Sequence, residues 1–117
     1  MKAIVNKLPS DSNESGNPAF NFIIVRDDGT EVMRSSRYKS KDSAYKGVRA
    51  VKKNCNDNNR YTFRTAPDGK HSFEIKAANG IPVVGSVGFS SEHEMLENVK
   101  SIKTQIPDCE IDFKKNY

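Results

Sequence analysis

Five serines and two histidines are the residues best suited to nucleophilic chemistry in this sequence of 117 residues. A serine nucleophile needs a neighbouring base and a third group that orients the base. The histidines are His71, predicted on a strand beside a turn, and His93, predicted in the first turn of a helix. Their positions favour structural roles for the serines, as helix caps and surface groups. The serines are Ser35, Ser40, Ser86, Ser90 and Ser91.

The segment Gly85-Ser86-Val87-Gly88 lies between a predicted strand and a predicted helix, where a phosphate-binding loop could lie. It lacks the Gly-Lys-Ser/Thr ending of a P-loop, so we interpret it as a tight connection. Asp27-Asp28 and Asp57-Asn58-Asn59 fall short of the calcium-loop pattern and are typical of turns. We therefore predict no catalytic residues, no metal site and no cofactor, and an enzyme is the least favoured class.

Basic residues concentrate around the first predicted helix. Residues 1–58 hold eleven Lys and Arg against seven Asp and Glu, whereas residues 59–117 hold eight of each. This basic face has three interpretations: a solvated helix surface, a site for nucleic acid or another polyanion, or a site for an acidic protein. Its candidate residues are Arg34, Arg37, Lys41, Arg49, Lys52 and Lys53.

The clearest strand pattern runs from Ala19 to Arg26 and is apolar on both faces. Phe22 belongs to the face that we expect beneath the helices. Ile23 and Val25, together with Met33, are predicted to form an apolar patch on the opposite face. Such patches mark contacts, so we expect a monomer or a weak homodimer that uses this patch for a partner.

Two helices are predicted from apolar residues at the i, i+4, i+7, i+11 spacing of one buried face. Ser40 and Ser91 stand at the expected N-cap positions, and Ser91 with Glu94 matches a capping box. Gly47 is predicted to lie where the first helix approaches the sheet closely. The two stripes are Ala44, Val48, Val51 and Cys55, and Met95, Val99, Ile102 and Ile106.

The same pattern occurs twice, 51 residues apart, at 22–52 and at 73–103. Self-similarity at a fixed period indicates one supersecondary unit that is used twice. We assign residues 1–58 to the first repeat and residues 59–117 to the second, within one folding domain. The identical pairs are Phe22/Phe73, Ile24/Ile75, Gly29/Gly80, Val32/Val83, Ser35/Ser86, Ser40/Ser91, Val48/Val99 and Lys52/Lys103.

The cysteines and the remaining segments indicate a cellular location. Cys55 and Cys109 are far apart, and we expect two buried thiols in a reducing compartment. No apolar run reaches the length of a membrane span, and residues 1–8 do not resemble a signal peptide. We therefore expect a cytosolic protein with no membrane partner. Pro9–Asn17 is predicted as a loop from its composition.

Two stretches carry a resemblance to a known family. Pro67-Asp68-Gly69 followed by Phe73-Glu74-Ile75-Lys76-Ala77-Ala78-Asn79-Gly80, with Ser86, Phe89 and Ser91, resembles the YegP-like domain of unknown function. Tyr38-Lys39-Ser40-Lys41 resembles the helix start of the same family. The resemblance covers nearly the whole chain in two copies. The chain departs from the family pattern at Arg26-Asp27-Asp28-Gly29 and at Asn98, where the family helix favours Gly.

The resemblance implies an α+β fold of two β(3)-α-β-type repeats. They would share one antiparallel sheet with two helices on a single face, and the C-terminal strands of the repeats would be exchanged. It implies no catalytic residues. The expected function is a small non-catalytic binding or interaction module, with a nucleic-acid-binding protein that uses the basic face as the alternative.

Overall fold

A computed structural model describes residues 1–8 and 19–114, so the loop predicted at Pro9–Asn17 lies outside the described residues. The described residues form an α+β fold of one seven-stranded sheet and two helices. The sheet has the order β4-β5-β6-β3-β2-β1-β7. The strands are β1 Lys2–Lys7, β2 Phe20–Val25, β3 Glu31–Ser35, β4 Tyr61–Thr65, β5 His71–Lys76, β6 Pro82–Ser86 and β7 Ile111–Lys114. The helices are α1 Lys41–Asn54 and α2 Glu92–Gln105.

The strand pairing corrects the expectation of a wholly antiparallel sheet. Five of the six pairings are antiparallel, but β7 runs parallel to β1, with Val5 opposite Phe113. A parallel pair needs a long crossover connection, and α2 delivers the chain to the end of the sheet where β1 begins. There the Ala3 N–H donates to the Glu110 carbonyl at 2.9 Å. The sheet is therefore mixed.

Both helices begin at the predicted serines. The Ser40 hydroxyl accepts from the Ser43 N–H, and the Ser91 hydroxyl accepts from the Glu94 N–H, each at 3.1 Å. Each bond satisfies one of the N–H groups that the first helical turn leaves without a main-chain acceptor. None of the helices in the described residues has the length and apolar character needed to cross a membrane.

The predicted stripes of both helices are buried and belong to one hydrophobic core. This confirms the two amphipathic helices, and it places both of them over the same face of the sheet. The strands contribute alternate residues, except at the β-bulge in the β2–β3 pairing, where the adjacent Val32 and Met33 are both in the core. From the strands come Ala3, Val5, Phe20, Phe22, Ile24, Val32, Met33, Tyr61, Phe73, Ile75 and Val84.

Ser35 and Ser86 extend the sheet beyond its last regular main-chain pairs. The Ser35 hydroxyl accepts from the Phe22 N–H at 2.9 Å and donates to the Ser36 carbonyl at 2.8 Å. The Ser86 hydroxyl accepts from the Phe73 N–H at 2.9 Å and likewise donates to the next carbonyl along the chain. A buried N–H without an acceptor would be costly, so these serines replace main-chain acceptors where β3 and β6 turn toward the helices.

Gly47 and Asn98 occupy matching positions on the two helices, and their surroundings differ. A Cβ atom at Gly47 would lie 2.8 Å from the Phe22 ring and would also collide with the Tyr38 ring and its hydroxyl. Asn98 donates to the Glu94 carbonyl at 2.9 Å and accepts from the Arg26 guanidinium. The departure from the family pattern at Asn98 therefore ties α2 to the end of β2.

We predict that Gly47→Ala destabilises the protein. Alanine gains about 1 kcal/mol of helix propensity over glycine. The added methyl group would overpack the contact with Phe22 and Tyr38, which costs about 1–3 kcal/mol. Denaturant titration measures the difference, and adding Tyr38→Phe should recover part of the loss because it removes the colliding hydroxyl. A more stable Gly47→Ala protein would show that the helix does not approach the sheet as closely as described.

Candidate functional site

The structure gives each of the five candidate serines a hydrogen bond, and none of these bonds involves a histidine. Ser35, Ser86, Ser40 and Ser91 hold backbone groups, as described above. The fifth, Ser90, donates to the Glu94 carboxylate at 2.8 Å. The His71 ring lies 3.2 Å from the Thr65 hydroxyl, and His93 is exposed in the first turn of α2. These contacts are what the interpretation as caps and surface groups predicts.

Two backbone donors, one in the glycine segment before α2 and one directly after it, are occupied within the fold. The Val87 N–H donates to the Val32 carbonyl at 2.9 Å, and the Phe89 N–H donates to the His71 carbonyl at 2.7 Å. A phosphate loop instead points such groups at its ligand. Within residues 1–8 and 19–114, no group of three or more His, Cys, Asp or Glu residues is placed to hold a metal ion.

Both cysteines are free and buried. Burial raises the pKa of the Cys55 thiol and that of the Cys109 thiol, although the Lys52 ammonium opposes the increase at Cys109. A raised pKa keeps a thiol protonated and makes it a poor nucleophile. Their environment is that of core residues, as predicted.

Several residues of the predicted basic face make contacts within the fold. The Lys52 ammonium donates to the Cys109 carbonyl at 2.6 Å. The Lys41 ammonium lies 4.0 Å from the centre of the Phe113 ring, a cation–π contact. Arg34 forms two hydrogen bonds with the Glu31 carboxylate, at 2.9 and 2.6 Å.

Arg49 and Lys53 are exposed on α1, and Lys46 lies on the same stripe. Their i, i+3, i+7 spacing places the three charges along one side of the helix. Arg37 is exposed in the connection between β3 and α1. Lys46 was absent from the predicted set, although its spacing from Arg49 could have identified it. We call Lys46, Arg49 and Lys53 the α1 basic stripe.

The prediction that Met33 belongs to the apolar patch is wrong. Met33 lies opposite Ile24 and is fully buried in the core, on the side of the sheet that faces the helices. A β-bulge between Ile24 and Val25 shifts the register, and a shift of one residue turns side chains to the other face. Val25 is buried, with 3% of its surface exposed, and Ile23 is half-buried.

An open cavity of about 670 Å³ lies over Ile23 on the sheet face away from the helices. Ile4, which is paired across the strands with Ile23, and Val25 complete its apolar floor. Charged groups of both signs surround the floor. We call this site the sheet depression; its other lining residues are Met1, Lys2, Arg26, Asp27, Asp28, Gly29, Glu110 and Lys114.

The fold is that of a small α+β protein with two helices over one face of a mixed sheet. Two solved structures share this fold. A UPF0339 protein from Shewanella oneidensis has a TM-score of 0.81 at 25% identity, with 97% of this chain and 92% of the other covered. The Escherichia coli protein yegP, described as of unknown function, has a TM-score of 0.80 at 26% identity, with 98% and 95% covered.

Comparison of sequences gives the family. Residues 15–61 match the sequence model of a protein family that is described as a domain of unknown function, DUF1508. A UPF0339 protein from the region 5′ of the ptx operon of Stutzerimonas stutzeri is 32% identical over 92 residues, which are 79% of this chain and 83% of the relative. The UPF0339 protein YegP of Escherichia coli K12 is 31% identical over 91 residues, with 78% and 83% covered. The chain belongs to the UPF0339 family, whose function is unknown.

We predict that alkaline pH destabilises the fold through Tyr61. Burial, and secondarily the neighbouring Cys55, raise the pKa of the Tyr61 phenol. The stability that the neutral phenol contributes is fully present below the ordinary tyrosine pKa of about 10. It is lost as the pH rises from there toward the folded value, because the unfolded chain ionises first. The free energy of unfolding should therefore fall above about pH 10.

Urea titrations between about pH 8 and pH 11 on the wild type and Tyr61→Phe test this prediction. Phenylalanine should make the alkaline decline shallower. At neutral pH it should cost about 1 kcal/mol, because the Tyr61 hydroxyl donates to the Cys55 carbonyl at 2.7 Å. An unchanged alkaline slope in Tyr61→Phe would contradict the assignment.

Proposed function

We propose that this protein is a small non-catalytic binding module that contacts a protein partner through the sheet depression. The observation that carries the proposal is an apolar floor centred on Ile23 within a rim of both charge signs. Protein interfaces commonly combine an apolar centre with a polar rim. The ion pair between Lys2 and Asp112, at 3.0 Å, lies beside this face and adds to the mixed charge.

We also expect the protein to be a monomer that self-associates weakly through the sheet depression. We expect sedimentation velocity at high concentration to show reversible dimerisation of the wild type, and we expect Ile23→Lys to abolish it because a charge would enter the apolar contact. Ile81→Lys is the matched control, since Ile81 is an exposed isoleucine on the turn between β5 and β6. If the sedimentation profiles of all three proteins are equally monomeric, the protein does not self-associate through the sheet depression.

A second candidate function is polyanion binding by the α1 basic stripe. Its three cations are exposed on one side of the helix, where they are accessible to the phosphates of a nucleic acid. We also propose a cytosolic location, which the two buried free thiols support.

For this second function, reversing Lys46, Arg49 and Lys53 to Glu should abolish oligonucleotide binding without unfolding the protein. Binding should also weaken steeply between about 50 and 200 mM salt, because bound phosphates release counterions. Lys52 is left intact, since its contact with the Cys109 carbonyl holds the segment before β7. Absence of binding by the wild type to single- and double-stranded oligonucleotides at low salt would eliminate this function.

We further propose that residues 1–58 and 59–117 are two copies of one β(3)-α-β-type repeat and fold as a single domain. Matching contacts support this interpretation. Phe20 forms an isolated antiparallel β-bridge with Tyr38 in one half, and His71 forms one with Phe89 in the other. The exchange of C-terminal strands is supported by the pairing of β4 with β5 and of β7 with β1. Each strand that follows a helix thus pairs with a strand other than the three that precede that helix.

Residues 59–117 expressed alone should be either unfolded or a strand-exchanged dimer. A unit of about 60 residues has a marginal core, and this one would lack the strands that complete its sheet. The solution mass and the amide dispersion in an NMR spectrum distinguish the states. A well-dispersed monomer would mean that one half closes its own core, and the exchange would then be wrong.

A further inference from the structure

The β4 strand forms one end of the sheet and carries backbone groups directed away from the rest of it. In the described part of the chain, β4 pairs only with β5, and Phe63 lies opposite Phe73. The Phe73 N–H donates to Ser86, on the β6 side. Phe63 and Phe73 are therefore a non-hydrogen-bonded pair, and the N–H and C=O of Phe63 point outward. Such an edge is a template for another strand.

Val5 occupies the place of Phe63 in the first half of the chain. It lies opposite Phe22, whose N–H donates to Ser35, as the Phe73 N–H donates to Ser86. At this second position the edge is covered, because β7 pairs with β1. Val5 is fully buried, whereas 48% of the Phe63 surface is exposed. The presence of β7 on one side of the molecule accounts for the difference.

Helix α1 also covers β7. Lys41 lies over the Phe113 ring and 5.8 Å from the centre of the Tyr45 ring, and Lys52 holds the Cys109 carbonyl. These three helical residues form a flank that fixes both the start of the covering strand and its large apolar side chain.

The corresponding flank of α2 has no strand beside it in the described residues. The register of 51 residues places Glu92, Leu96 and Lys103 at the positions of Lys41, Tyr45 and Lys52, and the equivalent N-caps at Ser40 and Ser91 support this alignment. Lys103 lies 5.5 Å from the centre of the Tyr61 ring, so this flank adjoins β4. The Leu96 side chain is 45% exposed.

We propose that the β4 edge and the α2 flank together bind an extended peptide segment of another protein. The segment runs parallel to β4, as β7 runs along β1, and it exchanges main-chain hydrogen bonds with Phe63. It carries apolar side chains at alternate positions, and the largest of them packs between Phe63 and Leu96. The Lys103 ammonium, which donates to the Asn58 side-chain oxygen in the structure, exchanges this acceptor for a carbonyl at the start of the segment, as Lys52 binds the Cys109 carbonyl. We call this site the β4 slot; it is separate from the sheet depression and from the α1 basic stripe.

The pairing of β7 with β1 indicates how a bound segment would lie along β4. Two copies of this chain joined by their β4 edges about a two-fold axis would pair antiparallel, whereas the strand on β1 is parallel. In addition, Phe63 and Leu96 are both exposed, which favours a segment that carries a large apolar side chain such as that of Phe113. A peptide partner therefore matches the internal template better than a second copy does.

The test uses a synthetic peptide with the sequence of residues 108–114 and serine in place of Cys109, because this is the strand that the equivalent edge holds. It is titrated into the ¹⁵N-labelled full chain. We expect saturable shifts and slowed amide exchange at Phe63 and Thr65. Leu96→Asp or Phe63→Lys in the protein should weaken binding by about tenfold or more, and so should serine in place of Phe113 in the peptide. Ile81→Asp is the matched exposed control and should leave binding unchanged.

Three results would overturn the proposal. The first is an absence of shifts at millimolar peptide. The second is a response confined to the amides of β1, which would mean that the peptide only displaces β7. The third is a response of the β4 amides to protein concentration without peptide, which would make the edge a contact between copies of this chain. Amide dispersion of each variant verifies that a loss of binding does not reflect unfolding.

Discussion

The structure depends on one apolar sheet face that neither half of the chain covers alone. Both helices pack on this face, and their buried residues join the strands of both halves in a single core. The antiparallel pairing of β3 with β6, at the centre of the sheet, connects the halves. A half-chain of about 60 residues has a marginal core, so we propose that burial of the shared face stabilises both halves together.

This constraint separates the residues that build the shared core from those that differ between the halves. Most of the repeated residues fill the core, start the helices or replace main-chain acceptors, as Ser35 and Ser86 do. The residues that differ between the halves lie mainly on the outside: three cations of the α1 basic stripe have no equivalent cluster on α2, whose first turn is acidic. Function is therefore to be sought on the surfaces and edges of the sheet, where the proposals above place it.

Local features could be predicted from the sequence because their causes are local. The helix stripes and the caps at Ser40 and Ser91 have the predicted form, and the identical pair Gly29 and Gly80 both have positive φ. The core position of Gly47 could also be anticipated, since a glycine within an amphipathic helix indicates close approach to a neighbour.

The errors arise where a distant or irregular contact decides the outcome. A bulge in the β2–β3 pairing turns Met33 into the core, and alternation alone cannot reveal a bulge. The direction of β7 depends on where α2 delivers the chain, about a hundred residues after β1. Lys52 appeared to be a surface charge, because its contact with the Cys109 carbonyl joins residues that are far apart in sequence. Of the candidate sites, composition could indicate basic and apolar residues but not which of them share a surface.

Native-state hydrogen exchange tests most directly whether the two halves form one cooperative unit. The amides of Ile24 and Ile75, on β2 and β5, should exchange with the same free energy, equal to that of global unfolding. Phe113→Ala, which weakens the packing of β7 on the first half, should lower both values equally. Exchange of one amide at a clearly lower free energy than the other, or a response to Phe113→Ala confined to Ile24, would contradict the shared core.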